Sequence, residues 1–382
     1  MSFLKNNRVA GILLQMVFTG IVIWMGYLLF RNTQANLEAR NIASGFDFLS
    51  VEAGFPISTS LIPYSPVKSY GYALVVGILN TLYVAVFGIL AASAVGVLIG
   101  VARVSRNWLV SRLAATYVEI LRNIPLLLIL FFTYGVVLAS LPSPRASLNP
   151  FWGCFLNNRG LYLPRPIFQG GFGIVVFSVV LGTVAAVLFA RWADRCRLRT
   201  GRVLPSGWIG TAVVLGLPVA AFVLCGAPLS WERASLRGFN FQGGIVLRPE
   251  FTALMLGLVL YTAAFIGENV RSGIQSVGRG QIEAAHSLGV ARSVVMRRVV
   301  LPQALRVILP ATTNDYTSLV KNSSLAVAIG YPDMVSVGGT IIGQNDQAIE
   351  IIGLWMAVYL AINLVVSLLM NWVNTKVQIV ER

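Results

Sequence analysis

The sequence predicts an all-α polytopic membrane protein with about eight transmembrane helices. Of its 382 residues, 56% are hydrophobic and only 11% are charged, whereas soluble domains carry about 25% charged residues. Eight apolar segments have roughly the 20 residues that a helix needs to cross the hydrocarbon core. These proportions exclude disordered and collagen-like chains and argue against a soluble enzyme, so the expected solvent is the bilayer.

The predicted spans differ in length and in polarity. The second is long enough to tilt, and the polar run Thr312–Asp315 interrupts the seventh. The first follows Lys5 and Arg8, as a signal peptide would. Its apolar run is longer than the roughly 7–15 residues of a signal core, which favours a retained anchor. The eight predicted spans are Val9–Phe30, Tyr72–Ala102, Ala114–Leu141, Gly171–Ala190, Trp208–Pro228, Phe251–Val270, Gln303–Val320 and Ile351–Val373.

The net charge of +15 raises the question of a nucleic-acid partner, because nucleic-acid binders gather Lys and Arg on one solvated face. Here the basic residues stand in short clusters between apolar runs, as they do in cytoplasmic loops. Most of them fall on one side of the membrane if the N-terminus is inside. We therefore expect both termini in the cytoplasm and no nucleic-acid partner.

Motifs for catalysis and metal binding are missing from the sequence. Cys154, Cys196 and Cys225 are widely spaced, and His286 is the single histidine, so neither a disulfide framework nor a metal site is predicted. The chain has no G-x-x-x-x-G-K-[ST] phosphate loop and no G-x-S-x-G motif. We therefore expect no ATP hydrolysis by this chain, no bound cofactor and no membrane enzyme.

Small residues recur every fourth position in the second span, at Gly88, Ala92, Gly96 and Gly100. Such a stripe allows close approach of another helix. Packing within the chain is the favoured interpretation, and a subunit interface is the alternative. The three loops predicted outside, 31–69, 142–169 and 230–248, are too short to predict a separate extramembrane domain.

A short cytoplasmic helix is predicted between the sixth and seventh spans, around residues 281–289. Glu283 lies near its start, where an acid suits the helix dipole, and Ala284 and Ala285 give a smooth packing face. Gly289 permits a sharp bend, and Pro302 can begin the next helix. Since the chain re-enters the membrane there, a force on this loop would reach the spans.

These residues carry a resemblance to bacterial ABC importer permeases. Their EAA loop follows the pattern E-A-A-x3-G-x9-I-x-L-P, and six positions match in register, with Val299 in place of the isoleucine. The resemblance implies that this loop docks a separate ATPase subunit. The residues assigned to this coupling loop are Glu283, Ala284, Ala285, Leu288, Gly289, Leu301 and Pro302.

Further segments resemble the polar amino-acid permeases in particular, the histidine, glutamine and general L-amino-acid type. They are Tyr117–Leu126, Tyr261–Ile266, Arg271–Gln275, Lys321–Leu325 and Ile329–Asp333. Common members have about five spans, so the first span and the fourth–fifth pair are additions. The larger form is similar to the permeases of broad-specificity and cyanobacterial neutral amino-acid importers.

The resemblance implies a type I importer core with extra helices in a bacterial inner membrane. An N-terminal anchor and periplasmic linker would occupy residues 1–70, the permease domain 71–373 with additional helices within 142–250, and a cytoplasmic tail 374–382. It implies ATPase subunits that use ATP and magnesium, a second homologous permease and a periplasmic amino-acid-binding protein. An ABC importer for another small solute, or a secondary transporter, is the alternative.

Polar residues inside spans are expensive and should face the bundle interior or water. An amino acid needs a cation or donor for its carboxylate and an acceptor for its ammonium, so Arg122 and Asp315 are chemically suitable. A structural role is the alternative for both, and Asp315 could instead pair with Lys321. Glu268 and Arg271 are expected to form a helix pair. The substrate-pathway candidates are Arg122, Thr312, Thr313, Asn314, Asp315, Lys321 and Asn322.

Overall fold

The computed structural model describes residues 7–39, 45–201, 205–238 and 240–377. Lys5, Arg202 and Arg382, which contributed to the predicted orientation, lie outside the described residues, as do residues 378–382 of the predicted tail. The chain divides into two compact units, one made of Met1–Tyr134 and Ala253–Arg382 and the other of Gly135–Thr252.

Helices make up most of the described chain. They are α1 (Asn7–Ala39), α2 (Tyr70–Arg103), α3 (Trp108–Asn123), α4 (Leu126–Ser140), α5 (Phe172–Thr200), α6 (Ser206–Leu224), α7 (Pro249–Gln275), α8 (Arg279–Ser287), α9 (Arg292–Val295), α10 (Leu301–Asn322), α11 (Met334–Asn345) and α12 (Ala348–Val377). Among the described residues, six helices are long and apolar enough to span a membrane, or up to eight if two bent pairs each form one span. The predicted helical, polytopic fold class is confirmed.

The third predicted span, Ala114–Leu141, is wrong as a single straight helix. Helices α3 and α4 meet at an angle of 109° across the break at Ile124 and Pro125. A proline has no N–H and disfavours the helical region for the residue before it, and Ile124 is extended. Arg122 consequently lies in the last turn of α3 and not inside a continuous transmembrane helix.

The seventh predicted span is the middle part of a longer helical run. A π-helical turn, Met296–Val300, joins α9 to α10, and a 3-10 segment, Ser323–Ile329, follows α10. This run and α11 are bent by 53° relative to each other. Pro302 lies in the first turn of α10 as predicted, directly after the π turn.

Close packing of α2 against α7 organises the first unit. Ala92 is fully buried in a hydrophobic cluster with Ile266 and Val270. A Cβ atom added at Gly100 would lie 2.4 Å from Val270 Cβ, and one at Gly96 would lie 2.6 Å from Ile266 Cβ. The small-residue stripe therefore packs within the chain, as favoured above.

Replacing Gly100 with alanine is expected to lower the thermal unfolding midpoint of the detergent-purified protein. The added methyl group forces overpacking, which costs about 1–3 kcal/mol. Gly135→Ala is the matched control, because nothing lies within 4 Å of its added Cβ and alanine is about 1 kcal/mol the better helix former. Equal midpoints for the two variants would contradict this packing.

The linker before α2 is packed onto the first unit and does not run freely through solvent. Phe48 is buried in a cluster with Tyr70 at the start of α2. The side-chain amide of Asn80 donates to the carbonyl oxygens of Thr59 and Pro332, each at 2.8 Å. The segment 45–69 thus has a defined conformation that its polar composition alone does not indicate.

The second unit contains a helical hairpin and short strands. Helices α5 and α6 pack against each other, and the two predicted outer loops pair to form antiparallel sheets. The strands are β1 (Phe155–Asn157), β2 (Gly160–Leu163), β3 (Arg165–Phe168), β4 (Leu229–Glu232), β5 (Ser235–Arg237), β6 (Asn240–Gln242) and β7 (Ile245–Leu247), in the orders β1-β2-β7, β3-β4 and β5-β6.

These loops were predicted only to be too short for a separate extramembrane domain, and their strands were not predicted. Tyr162, Ala234 and Phe241 form a small buried cluster of their own. The Tyr162 and Phe241 rings lie 5.0 Å apart between centroids. Tyr162 belongs to the loop 142–169, whereas Ala234 and Phe241 belong to the loop 230–248. The cluster therefore depends on packing between segments that are far apart in sequence.

Candidate functional site

Helix α8 carries the central residues of the predicted coupling loop. It begins at Arg279, so Glu283 is not in its first turn, and the predicted interaction of Glu283 with the helix N-terminus is wrong. At the other end, the Val290 N–H donates to the Ala285 carbonyl and the Gly289 N–H to the His286 carbonyl. These are the two bonds of a Schellman motif, whose left-handed residue is usually glycine. Gly289 accordingly has a φ of +70°.

The two faces of α8 have different environments. Ile282 and Ala285 pack against the hydrophobic cluster that includes Val300 and Ala304. On the opposite side, Glu283, Ala284 and Gly289 are exposed, and Leu288 is 81% exposed. A leucine so exposed beside small residues leaves an apolar surface for another molecule.

A polar contact also joins this helix to α10. The Gln303 side-chain amide donates to Gln281 Oε1 and to the Val299 carbonyl. Leu301 is 43% exposed, and Pro302 is half-buried. The coupling-loop residues thus form one continuous region, α8 with the first turn of α10.

A second feature is a cavity of about 240 Å³ between α7 and α10. The half-buried Asp315 and Asn322 line it from α10. Asp315 Oδ2 accepts a hydrogen bond from Asn269 Nδ2 at 2.7 Å, so its partner is Asn269 and not Lys321. The complete lining is Tyr261, Thr262, Phe265, Asp315, Ser318 and Asn322.

The structure separates the predicted polar run 312–315 into different roles. The Thr312 hydroxyl donates within the helix to the Ile308 and Leu309 carbonyls, and that of Thr313 donates to Leu309 at 2.8 Å. Such bonds satisfy hydroxyls inside a helix. Asn314 and Lys321 are exposed, and neither lines the cavity. Of the predicted α10 residues, only Asp315 and Asn322 line it.

Arg122 lines a neighbouring cavity of about 400 Å³, together with Glu119 and Glu268. Phe265 belongs to the lining of both cavities. The Arg122 guanidinium lies 5.2 Å from the centroid of the Phe265 ring, which is within the range of a cation–π interaction. Arg122 and Asp315 thus line two adjacent chambers that have the Phe265 ring in common.

Glu268 forms the predicted pair with Arg271, and it has a second partner as well. Arg271 Nε donates to Glu268 Oε2 at 3.0 Å, and Arg103 of α2 also donates to this carboxylate. The three side chains are 14–28% exposed. Because Arg103 belongs to α2 whereas Glu268 and Arg271 belong to α7, the group links the two helices. Truncating one member would leave a largely buried charge uncompensated.

The residues by which α7 lines this cavity or bonds to Asp315 were not among the predicted site residues. Tyr261, Phe265 and Asn269 recur every four residues, so they lie on one face of the helix. Each of the first two was quoted only as part of a family motif. The available signal was this spacing of two aromatic residues and an amide within a largely apolar span.

An exposed loop helix that contacts a cavity-lining helix is the arrangement expected of a membrane transport subunit. Residues 86–379 match the family described as "Binding-protein-dependent transport system inner membrane component". The chain belongs to this family and is a multi-pass permease component of an inner membrane. The predicted ABC importer permease class is thereby confirmed.

Three relatives match nearly the whole chain. The general L-amino acid transport system permease protein AapQ of Rhizobium johnstonii is 49% identical over 97% of this chain and 92% of its own length. The putative amino-acid ABC transporter permease protein YhdX of Escherichia coli K12 is also 49% identical, over 97% and 94%. The glutamate/glutamine/aspartate/asparagine permease BztB of Rhodobacter capsulatus is 36% identical over 99% and 96%.

Proposed function

We propose that this chain is the permease subunit through which L-amino acids cross the inner membrane toward the cytoplasm. The relatives named above support an amino-acid substrate, and the polar cavities support a pathway through the first unit. ATP and magnesium would be used by partner ATPase subunits. A second, homologous permease and a periplasmic amino-acid-binding protein would complete the importer.

The observation that carries this proposal is the continuity between α8 and the cavity. Gln303, which contacts α8, and Asp315, which lines the cavity, belong to the same helix. Their separation of 12 positions corresponds to about 18 Å along a helix axis. A displacement of α8 would therefore reach the cavity wall along one helix, which contains one proline, Pro310, between these two positions.

The cavity chemistry suits a zwitterionic substrate. The Asp315 carboxylate, held by Asn269, is an acceptor for an ammonium group. The guanidinium of Arg122, in the neighbouring cavity that shares Phe265, is a donor for a carboxylate. The Phe265 side chain, which lines both cavities, offers an aromatic surface to the side chain of the substrate.

Alternating access follows if ATP binding brings the docked ATPases together. The coupling loop would then move with them and shift the pathway from one open state to the other. ATP must bind one arrangement better than the other to change their populations. This requires α8 and both termini on the cytoplasmic side, the orientation that the Lys and Arg distribution supports.

Reconstitution in proteoliposomes with the three partners tests the proposal. We expect uptake of labelled L-glutamine that requires ATP inside the vesicle and the binding protein outside. Unlabelled acidic, neutral and basic amino acids should be compared as competitors. Uptake without ATP would indicate a secondary transporter, and uptake of another small solute without competition by amino acids would overturn the substrate assignment.

A further inference from the structure

The second unit contains a cavity of about 440 Å³ whose lining shares no residue with either cavity described above. This volume is in the range of ligand sites, roughly 300–1,000 Å³. Apolar side chains form part of its wall, namely Leu138, Phe241, Val246 and Pro249. The rest is polar and includes Asn158, Arg159, Tyr162, Asn240, Arg248 and Glu250.

Strand pairing brings two guanidinium-bearing residues of this wall together. Strands β2 and β7 are antiparallel with Leu161 opposite Leu247, so Arg159 and Arg248 lie at the same end of the pair. A Cβ atom at Gly160 would lie 2.3 Å from the Leu247 carbonyl oxygen. Only glycine permits this approach, and its φ of +130° also favours glycine.

Tyr162 lies near both arginines in this wall. Burial raises the pKa of Tyr162, while the charges of Arg159 and Arg248 act in the opposite direction. The same hydroxyl donates to Asn240 Oδ1 at 3.1 Å. Two cationic residues, a tyrosine and an amide therefore lie around one space, and Glu250 gives this wall one acidic group.

We propose that this cavity is a second binding site for a free α-amino acid, outside the translocation pathway. Arg159 and Arg248 would bind the α-carboxylate, since guanidinium groups match its geometry. Glu250 would accept from the α-ammonium, and the apolar wall would contact the side chain. This inference rests on the proposed function, because it assigns the added unit a role in receiving the same substrate class.

Equilibrium binding of radiolabelled L-glutamine to the intact importer complex tests the proposal. The complex should be prepared without the binding protein and with Asp315→Asn, so that the pathway cavity contributes little. We expect saturable binding that Arg248→Gln weakens by about tenfold or more, because a charge-assisted bond is lost. The affinity of Arg248→Lys for L-glutamine should lie between those of the unmodified complex and Arg248→Gln, since lysine keeps the charge but not the bidentate geometry.

Arg237→Gln is the matched control, because Arg237 is an exposed arginine of the same unit that does not line the cavity. Its affinity for glutamine should be unchanged, and the methyl ester of glutamine should fail to compete. The site would be overturned if the complex bound no L-glutamine. It would also be overturned if Arg248→Gln and Arg237→Gln lowered the affinity for L-glutamine equally. If Arg248→Gln altered only the affinity for the binding protein, the cavity would be a protein contact and the proposal would be wrong.

The failure of this proposal can be distinguished from that of the proposed function. Normal ATP-dependent uptake by the unmodified complex, with no glutamine bound in the second unit, rejects the second site alone. Absence of amino-acid uptake by the unmodified complex rejects the function on which the site rests.

Discussion

Replacing Leu288 with alanine is expected to abolish most ATP-driven uptake without reducing the stability of the purified chain. Leu288 is 81% exposed, so its truncation removes little packing within the subunit. If it is buried by the ATPase, the substitution removes about 2 kcal/mol of interface free energy, or about thirtyfold in affinity. Uptake and co-purification of the ATPase measure the effect.

Leu288→Met is the matched control, because methionine keeps an apolar side chain of similar volume. We expect this variant to retain the ATPase and to transport nearly as well as the unmodified protein. Capture of substrate by the external binding protein should be unchanged in both variants. Full transport by Leu288→Ala would contradict the docking role of α8.

Replacing Asp315 with asparagine is expected to lower the uptake of amino acids by about tenfold or more while leaving the fold intact. The substitution keeps an acceptor oxygen for the Asn269 amide, which donates to Asp315 Oδ2 in the unmodified protein, and it removes the negative charge. A charge inside the membrane costs about 2.5–3.5 kcal/mol on insertion scales. Its removal should therefore not destabilise the chain. The uptake rate should therefore fall while the thermal unfolding midpoint stays unchanged.

Thr313→Val provides the comparison for this experiment. Thr313 lies two residues away, but its hydroxyl is bonded to its own helix and does not line the cavity. We expect uptake close to normal for this variant. If Asp315→Asn left the uptake of acidic, neutral and basic amino acids unchanged, Asp315 would be a structural residue.

Most of the helical architecture could be predicted because length and apolarity determine which segments cross a bilayer. The bend at Ile124 and Pro125 was missed, although the proline was visible, because hydropathy measures composition and not direction. The strands of the second unit were missed for a different reason. They are three or four residues long, and β2 pairs with β7 across a helical hairpin, a non-local contact that no local pattern contains.

The site was predicted unevenly. The coupling loop has a fixed spacing over 20 positions, and the structure places those residues in one region. The run Thr312–Asp315 could not be resolved into pathway and structural residues, because threonine hydroxyls can bond either to a ligand or to their own backbone. Phe265 and Asn269 became recognisable only when α7 and α10 were placed side by side.

Site-specific cross-linking of α8 to the ATPase tests the central claim most directly. Cys154, Cys196 and Cys225 would first be replaced by serine, and Leu288 by cysteine. The assembled importer would then be treated with a short bifunctional cross-linker that reacts with this thiol. A cysteine at Val67, which is 72% exposed in the linker before α2, serves as the control. The account predicts a covalent product with the ATPase from position 288 and none from position 67, and a product from position 67 alone would contradict it.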